Sequence, residues 1–207
     1  MKFAFLNPTV IALEDVPQDV FDTLYDMVHL AHTHSEHDDS GNPQLSVRGG
    51  QQIQLVPNEF GLDTDVLKEY IEKTAQEYLD SIQQQNPLVN LAAVKPLLVS
   101  AWTIKQGPGD YQALHSHESN LSGNIYIDVP VLENAKPSDS QIEFKLPMTK
   151  DIAHFIFSDS WRFQPEKGKM IVFPGHIPHT VYPWNGQGHR IVLAWDVQLV
   201  DRAVDIK

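Results

Sequence analysis

The sequence predicts a mainly β protein with flanking helices (α+β), its strands forming a two-sheet jelly roll or barrel. From Val94 onward, short apolar β runs alternate with turn residues, as in sandwiches and barrels rather than βαβ units. Before Val94, two segments repeat their apolar residues at helical spacing. The length, 207 residues, suits one domain and suffices to bury a substantial core. The expected organisation is a single domain, 1–207, with a mostly helical support over 1–93 and a jelly-roll core over 94–207.

Taken in order, Phe3 to Phe5 reads as a short strand ended by Asn7-Pro8. Pro17 to about Ala31 reads as a helix capped by Asp15, with Val20, Phe21, Leu24, Met27, Val28 and Ala31 on one face. His32 to Gly50 is a polar loop. Its His32, His34 and His37 are expected to be surface residues, because no strand or helix fixes their geometry. A second helix runs from Asp63 or Thr64 to Gln85, stopped by Asn86-Pro87. Strands follow at Pro96–Lys105, Leu121–Val129, Gln141–Leu146 and Lys169–Phe173, with weaker candidates at Ile152–Ser158 and Trp161–Gln164. Pro178–Tyr182 is expected to form a hairpin with His189–Val200, since Asn185-Gly186 between them is a strong turn signal.

Composition narrows the function. A net charge of −12 argues against binding a phosphate backbone, which calls for a basic face. No apolar run approaches the about 18 residues of a membrane span. With no cysteines, disulfides, thiolate zinc sites and thiol catalysis are excluded. That fits a reducing compartment. The start of the chain is too soon interrupted by Asn7-Pro8 for a signal peptide, so a cytoplasmic location is expected.

The chemistry centres on three histidines and an arginine. His115 and His117 lie two residues apart beside a strand, a spacing that puts both side chains on one face of extended backbone. His179 lies far downstream, and Arg190 follows eleven residues later at the head of the apolar run Ile191–Trp195. Imidazoles from two strand ends can hold iron, manganese or zinc with positions left open for substrate. The rigid fork of an arginine can hold a carboxylate by two parallel bonds. Taken singly, each residue reads as ordinary core or surface; the ordered combination favours a site. Glu118, His176 and Asp110 are alternative ligands. Trp102, Tyr111, Trp161, Trp184 and Trp195 read first as core and second as cavity lining, with Gln112 and Asn124 as candidate polar contacts.

Trp102, Gly109-Asp110-Tyr111-Gln112, His115-x-His117, Ser119, Leu121-Ser122-Gly123-x-x-Tyr126 and Pro130, then Gly168, Phe173-Pro174, His179 and Arg190-Ile191, resemble the 2-oxoglutarate/Fe(II)-dependent oxygenase superfamily. Within it they resemble a bacterial and phage branch of prolyl-hydroxylase-like proteins. Ser46-Val47-Arg48-Gly49-Gly50-Gln51 is similar to a Gly-Gly-Gln stretch of that branch. The resemblance is good over about residues 100–198 and thin before them. It implies a double-stranded β-helix (jelly roll) that binds Fe(II) through His115, His117 and His179. It also implies a dioxygenase that hydroxylates a small molecule or protein side chain with O2 and 2-oxoglutarate, releasing succinate and CO2. The cosubstrate's distal carboxylate would meet Arg190, with Tyr126 as a second contact. Tyr126 reads equally well as strand packing. Most of the superfamily has His-x-Asp or His-x-Glu, so His117 stands where a carboxylate is usual. Two rival readings remain: a cupin-like three-histidine metal enzyme without 2-oxoglutarate, and a non-catalytic jelly-roll binding module.

Overall fold

The computed structural model describes residues 9–34, 50–55, 64–86, 90–145 and 160–202. Two helices, α1 (Gln18–His34) and α2 (Asp65–Gln85), precede most of the strands. The strands are β1 (Ala12–Asp15), β2 (Gln51–Gln54), β3 (Val94–Gln106), β4 (Gln112–His115), β5 (Leu121–Asp128), β6 (Val131–Leu132), β7 (Ile142–Lys145), β8 (Ser160–Phe163), β9 (Lys169–Pro174), β10 (His179–Val181), β11 (Gly186–Gln187) and β12 (Arg190–Asp201). A six-stranded sheet has the order β1-β9-β5-β12-β3-β2, and a four-stranded sheet the order β4-β10-β7-β8. The pairings are antiparallel throughout. Two such sheets packed face to face make the jelly roll.

Alternation along the strands builds two cores. On β12, Ile191, Leu193, Trp195 and Val197 join Ile125 and Ile127 of β5 and Met170 and Val172 of β9 against the helices. Leu24, Met27, Val28 and Ala31 of α1 and Leu67, Ile71, Ala75 and Leu79 of α2 complete this layer. A fully buried aliphatic side chain here contributes about 2 kcal/mol of transfer free energy. The opposite strand faces meet the smaller sheet through Tyr126, Ile142, Phe144, Ile171, Phe173, Val181 and Val192. Gly123 is dictated by the first layer: a Cβ there would lie 2.2 Å from the Trp195 indole and 2.7 Å from the Ile171 carbonyl oxygen.

Asp15, expected to cap the first helix, instead ends β1 and pairs with Lys169. The structure departs more widely from the sequence expectations in three places. β10 does not pair with β12; it lies between β4 and β7 in the smaller sheet, while β12 lies between β3 and β5 in the larger. Asn185-Gly186 is therefore no two-residue hairpin turn, and Gly186 instead pairs with Leu132. In a jelly roll successive strands alternate between sheets, and that long-range rule overrides the local turn signal. The second departure is that α1 continues past Ala31, so His32 is not in a loop. Its imidazole is half-buried, with Nε2 3.0 Å from Thr103 Oγ1 and Nδ1 3.3 Å from Gln51 Oε1. The third is that β1 and β2, which lack a sequence signal strong enough to predict, extend the two edges of the larger sheet. The expected strands at Phe3–Phe5 and Ile152–Ser158, and His37, lie outside the described residues.

Candidate metal centre

His115 ends β4 and His179 begins β10, and the antiparallel register sets the two directly opposite each other. His117 lies beyond the strand end, where the chain turns toward β5. Its backbone N–H donates to Gly175 O at 2.8 Å, and the Gly175 N–H donates to Asn120 O at 3.2 Å. Glycine is required at 175, because a Cβ would come within 2.4 Å of Ser119. The turn thus carries His117 to the same point that strand alternation assigns to His115.

The three imidazoles converge. Ring centroids are 4.3 Å apart for His115–His179, 5.2 Å for His117–His179 and 5.4 Å for His115–His117. One ligand atom from each lies within 4.8 Å of the others. Each Nδ1 faces an oxygen: Ala113 O at 2.7 Å for His115, Ile177 O at 2.9 Å for His179, and the Asp196 carboxylate at 3.0 Å for His117. A carbonyl or carboxylate oxygen only accepts, so each Nδ1 carries a proton, and in a neutral imidazole the lone pair then lies on Nε2. Burial holds His115 below the usual imidazole range and, with the neighbouring His115, takes His179 down to about 3. Both imidazoles are neutral at physiological pH.

Aromatic walls surround the cluster. Trp102 stacks on His117 with centroids 5.7 Å apart, and Phe173 meets His179 edge-on at 4.9 Å. The other proposed ligands stay apart. Glu118 and His176 are exposed, and Asp110 closes its own loop by accepting from the Gly107 N–H at 2.8 Å.

Arg190 is 1% exposed and lies on the strand face shared with Val192, Ala194 and Asp196. Its Nη1 donates to Ser140 O at 2.9 Å and Tyr182 O at 3.2 Å, and its Nη2 donates to Gln106 Oε1 at 2.7 Å. Trp184 stacks on the guanidinium at 4.8 Å. Burial draws its pKa down to about 10, which leaves it charged at neutral pH. No carboxylate lies within ion-pair distance of it among the described residues. Beside it, Gln106 Nε2 and Trp184 Nε1 are buried with no hydrogen-bond partner among the described residues. Tyr126 is buried close enough to feel the guanidinium charge; burial raises its phenol pKa and Arg190 opposes the rise. Tyr182, whose carbonyl holds the guanidinium, is three residues beyond His179, and among the described residues no hydrogen bond of Arg190 goes to a histidine of the cluster.

Residues 100–196 match the family model described as "Putative 2OG-Fe(II) oxygenase". Over this stretch the chain is similar to the 2-oxoglutarate/Fe(II) oxygenases. That superfamily uses Fe(II) with 2-oxoglutarate and O2 as cosubstrates. No curated protein matches the chain. Among solved structures, a Pseudomonas putida prolyl-4-hydroxylase is 20% identical, covering 90% of this chain and 91% of its own at a TM-score of 0.58. AviO1 of Streptomyces viridochromogenes Tue57 is 13% identical, covering 94% and 91%, with a TM-score of 0.59. A viral collagen prolyl hydroxylase of Paramecium Bursaria Chlorella virus-1, solved with 2-oxoglutarate, is 15% identical, covering 90% and 94%, with a TM-score of 0.54. At these identities the likeness establishes the jelly-roll fold.

The site contains residues to which sequence reading gave no role. Asp196 and Gln106 are the main ones, and Trp184, read only as core or cavity lining, covers the guanidinium. Asp196 did carry a signal: a charge that closes an apolar run, in phase with Arg190. Gln106 carried none, because it opens a loop-like stretch and its partner Arg190 is far away in sequence.

Proposed function

We propose that the enzyme hydroxylates a small molecule or protein side chain, consuming O2 and 2-oxoglutarate and releasing succinate and CO2. His115, His117 and His179 are the residues that would hold Fe(II). When bound, the metal would supply an open coordination sphere for the 2-oxo acid and for oxygen activation. Convergence of three imidazoles, each with its Nδ1 engaged by an oxygen, is the observation that carries this reading.

Arg190 would hold the distal carboxylate of the cosubstrate. A buried cation without a counter-ion costs several kcal/mol, and a bound carboxylate would offset that cost. The orphaned Gln106 Nε2 beside it supports the assignment, since an anion there gives a buried donor its missing acceptor. Tyr126 would add a phenol. Hydrogen bonds to Ser140 and Tyr182 already fix the guanidinium, so it need not reorganise on binding. Trp102, Phe144 and Phe173 would keep water from the reacting centre.

All the proposed ligands lie within 94–207, which we take as the catalytic core. Residues 1–93 would act as support, with α1 and α2 backing the larger sheet. Among the described residues no helix is long and apolar enough to cross a membrane. The neighbours' varied names do not select a substrate for this chain, because one fold hosts many chemistries.

Anaerobic titration of 2-oxoglutarate into the Fe(II) protein tests the proposal. A weak visible charge-transfer band and, on admitting air, succinate formation are expected. A protein that binds iron but gives neither would be a three-histidine metal enzyme of the cupin-like kind.

A further inference from the structure

His117 stands where most of the superfamily places a metal-binding carboxylate, which leaves a set of three neutral imidazoles. With a divalent cation this set would carry a net charge of +2, against +1 when one ligand is Asp or Glu. The structure places one carboxylate against that histidine. Asp196, on β12, lies with Oδ1 3.0 Å and Oδ2 3.2 Å from His117 Nδ1. Ser119 Oγ and Ser122 Oγ donate to Asp196 Oδ1 at 2.8 and 2.5 Å. Their side chains and Asp196 come from a loop and two strands. Ser122 and Asp196 are register partners on β5 and β12. Two hydroxyl donors and one imidazole donor on a single carboxylate suit an anion. The side chains of His117 and Asp196 are 11% and 17% exposed, so water screens the pair little.

We infer that Asp196 is a positioning residue that supplies the metal centre's negative charge through His117 rather than by direct ligation. The inference rests on the metal reading given above. Asp196 takes the Nδ1 proton in a hydrogen bond, which points Nε2 at the other two imidazoles. It also makes that imidazole a stronger donor to a cation. The carboxylate has moved one layer outward, from the strand end at 117 to β12, and the local charge returns to +1. The two serines hold it in place. This explains why His115-Ser116-His117 is accompanied by Ser119 and Ser122: the histidine and its anion are specified on one stretch of chain and one facing strand.

Fe(II) affinity, measured anaerobically on the metal-free protein with Co(II) as a spectroscopic probe, tests the inference. Asp196→Asn keeps the shape and a hydrogen-bond acceptor but removes the charge. It is expected to weaken both metals by about 10- to 100-fold. Asp196→Asn combined with His117→Asp returns a carboxylate to the direct position and is expected to recover most of the loss. A purely structural Asp196 predicts no such recovery. Ser122→Ala, which loosens the carboxylate without discharging it, is expected to give a smaller loss in the same direction, and it serves if Asp196→Asn does not fold. Wild-type affinity in Asp196→Asn, or a folded double variant as weak as the single, overturns the inference. A wild-type protein that binds neither metal removes the metal centre itself, which is a separate result.

Discussion

Every imidazole of the cluster has its Nδ1 engaged, so the tautomer is fixed before any ligand arrives. His179 sits deepest, between His115 and Phe173. His179→Ala is expected to abolish measurable Fe(II) binding, read by anaerobic titration, while secondary structure followed by circular dichroism stays intact. Arg190 makes a different prediction. Arg190→Lys keeps the charge but loses the fork that reaches Gln106, Ser140 and Tyr182 together. The KM for 2-oxoglutarate should rise by about 10- to 100-fold, corresponding to the loss of about 1.5–3 kcal/mol for a hydrogen bond to a charged group. Fe(II) affinity should stay unchanged, because the guanidinium bonds Gln106, Ser140 and Tyr182 and none of the three histidines. An Arg190→Lys enzyme with wild-type KM would sink the carboxylate assignment. Residue types were readable from the sequence at this scale, but contacts were not. Asp196 reads as the end of a strand until β5 and the 117–122 turn bring His117, Ser119 and Ser122 to it.

Among the elements, the strands were legible wherever one face met the helices and the other met the second sheet. β12 shows this directly: alternate residues fall into different layers, and period-two alternation is a local property of the chain. The helices were legible for the same reason, with Leu24, Leu67 and Ile71 fully buried on their apolar faces. Ile71→Ala is expected to cost about 2–5 kcal/mol in chemical denaturation, with Fe(II) affinity preserved, because α2 backs the sheet and never touches the cluster. Gly123→Ala tests a tighter fit. Its added methyl meets both the Trp195 ring and the Ile171 carbonyl, so a loss of about 1–3 kcal/mol from overpacking is expected in the same assay. The hairpin expected at Asn185-Gly186 shows the limit of local reading. A turn signal says that the chain reverses, not which strand it pairs with afterward.

Across the whole molecule, buried neutral histidines set the acid limit of stability. Burial takes His32 down to about 4, against an ordinary imidazole value near 6.5. Between those values the unfolded chain holds a proton that the folded one does not, so folding stability rises with pH across the window. The contribution is complete above about pH 6.5 and is lost progressively as pH falls toward 4. Denaturant midpoints of the metal-free protein should therefore drop between pH 7.5 and pH 5, and His32→Gln should flatten that drop. Saturating Fe(II) at about 100 times its Kd should add about 2.7 kcal/mol to stability, and the gain should fade on acidification as protons compete for the imidazoles.

By itself the sequence determined both helices and the longer strands, the two-layer alternation, and the set of residues from which a site could be drawn: His115, His117, His179 and Arg190. These depend on spacing along the chain, which is local physics. Only the tertiary structure decided that β10 joins β4 and β7, which sets His179 opposite His115, and that β12 brings Asp196 behind His117 while Arg190 goes into a pocket with Gln106 and Trp184. Those choices depend on which faces close over one another. The free energy of closure is summed over contacts distant in sequence, so no window of residues contains it.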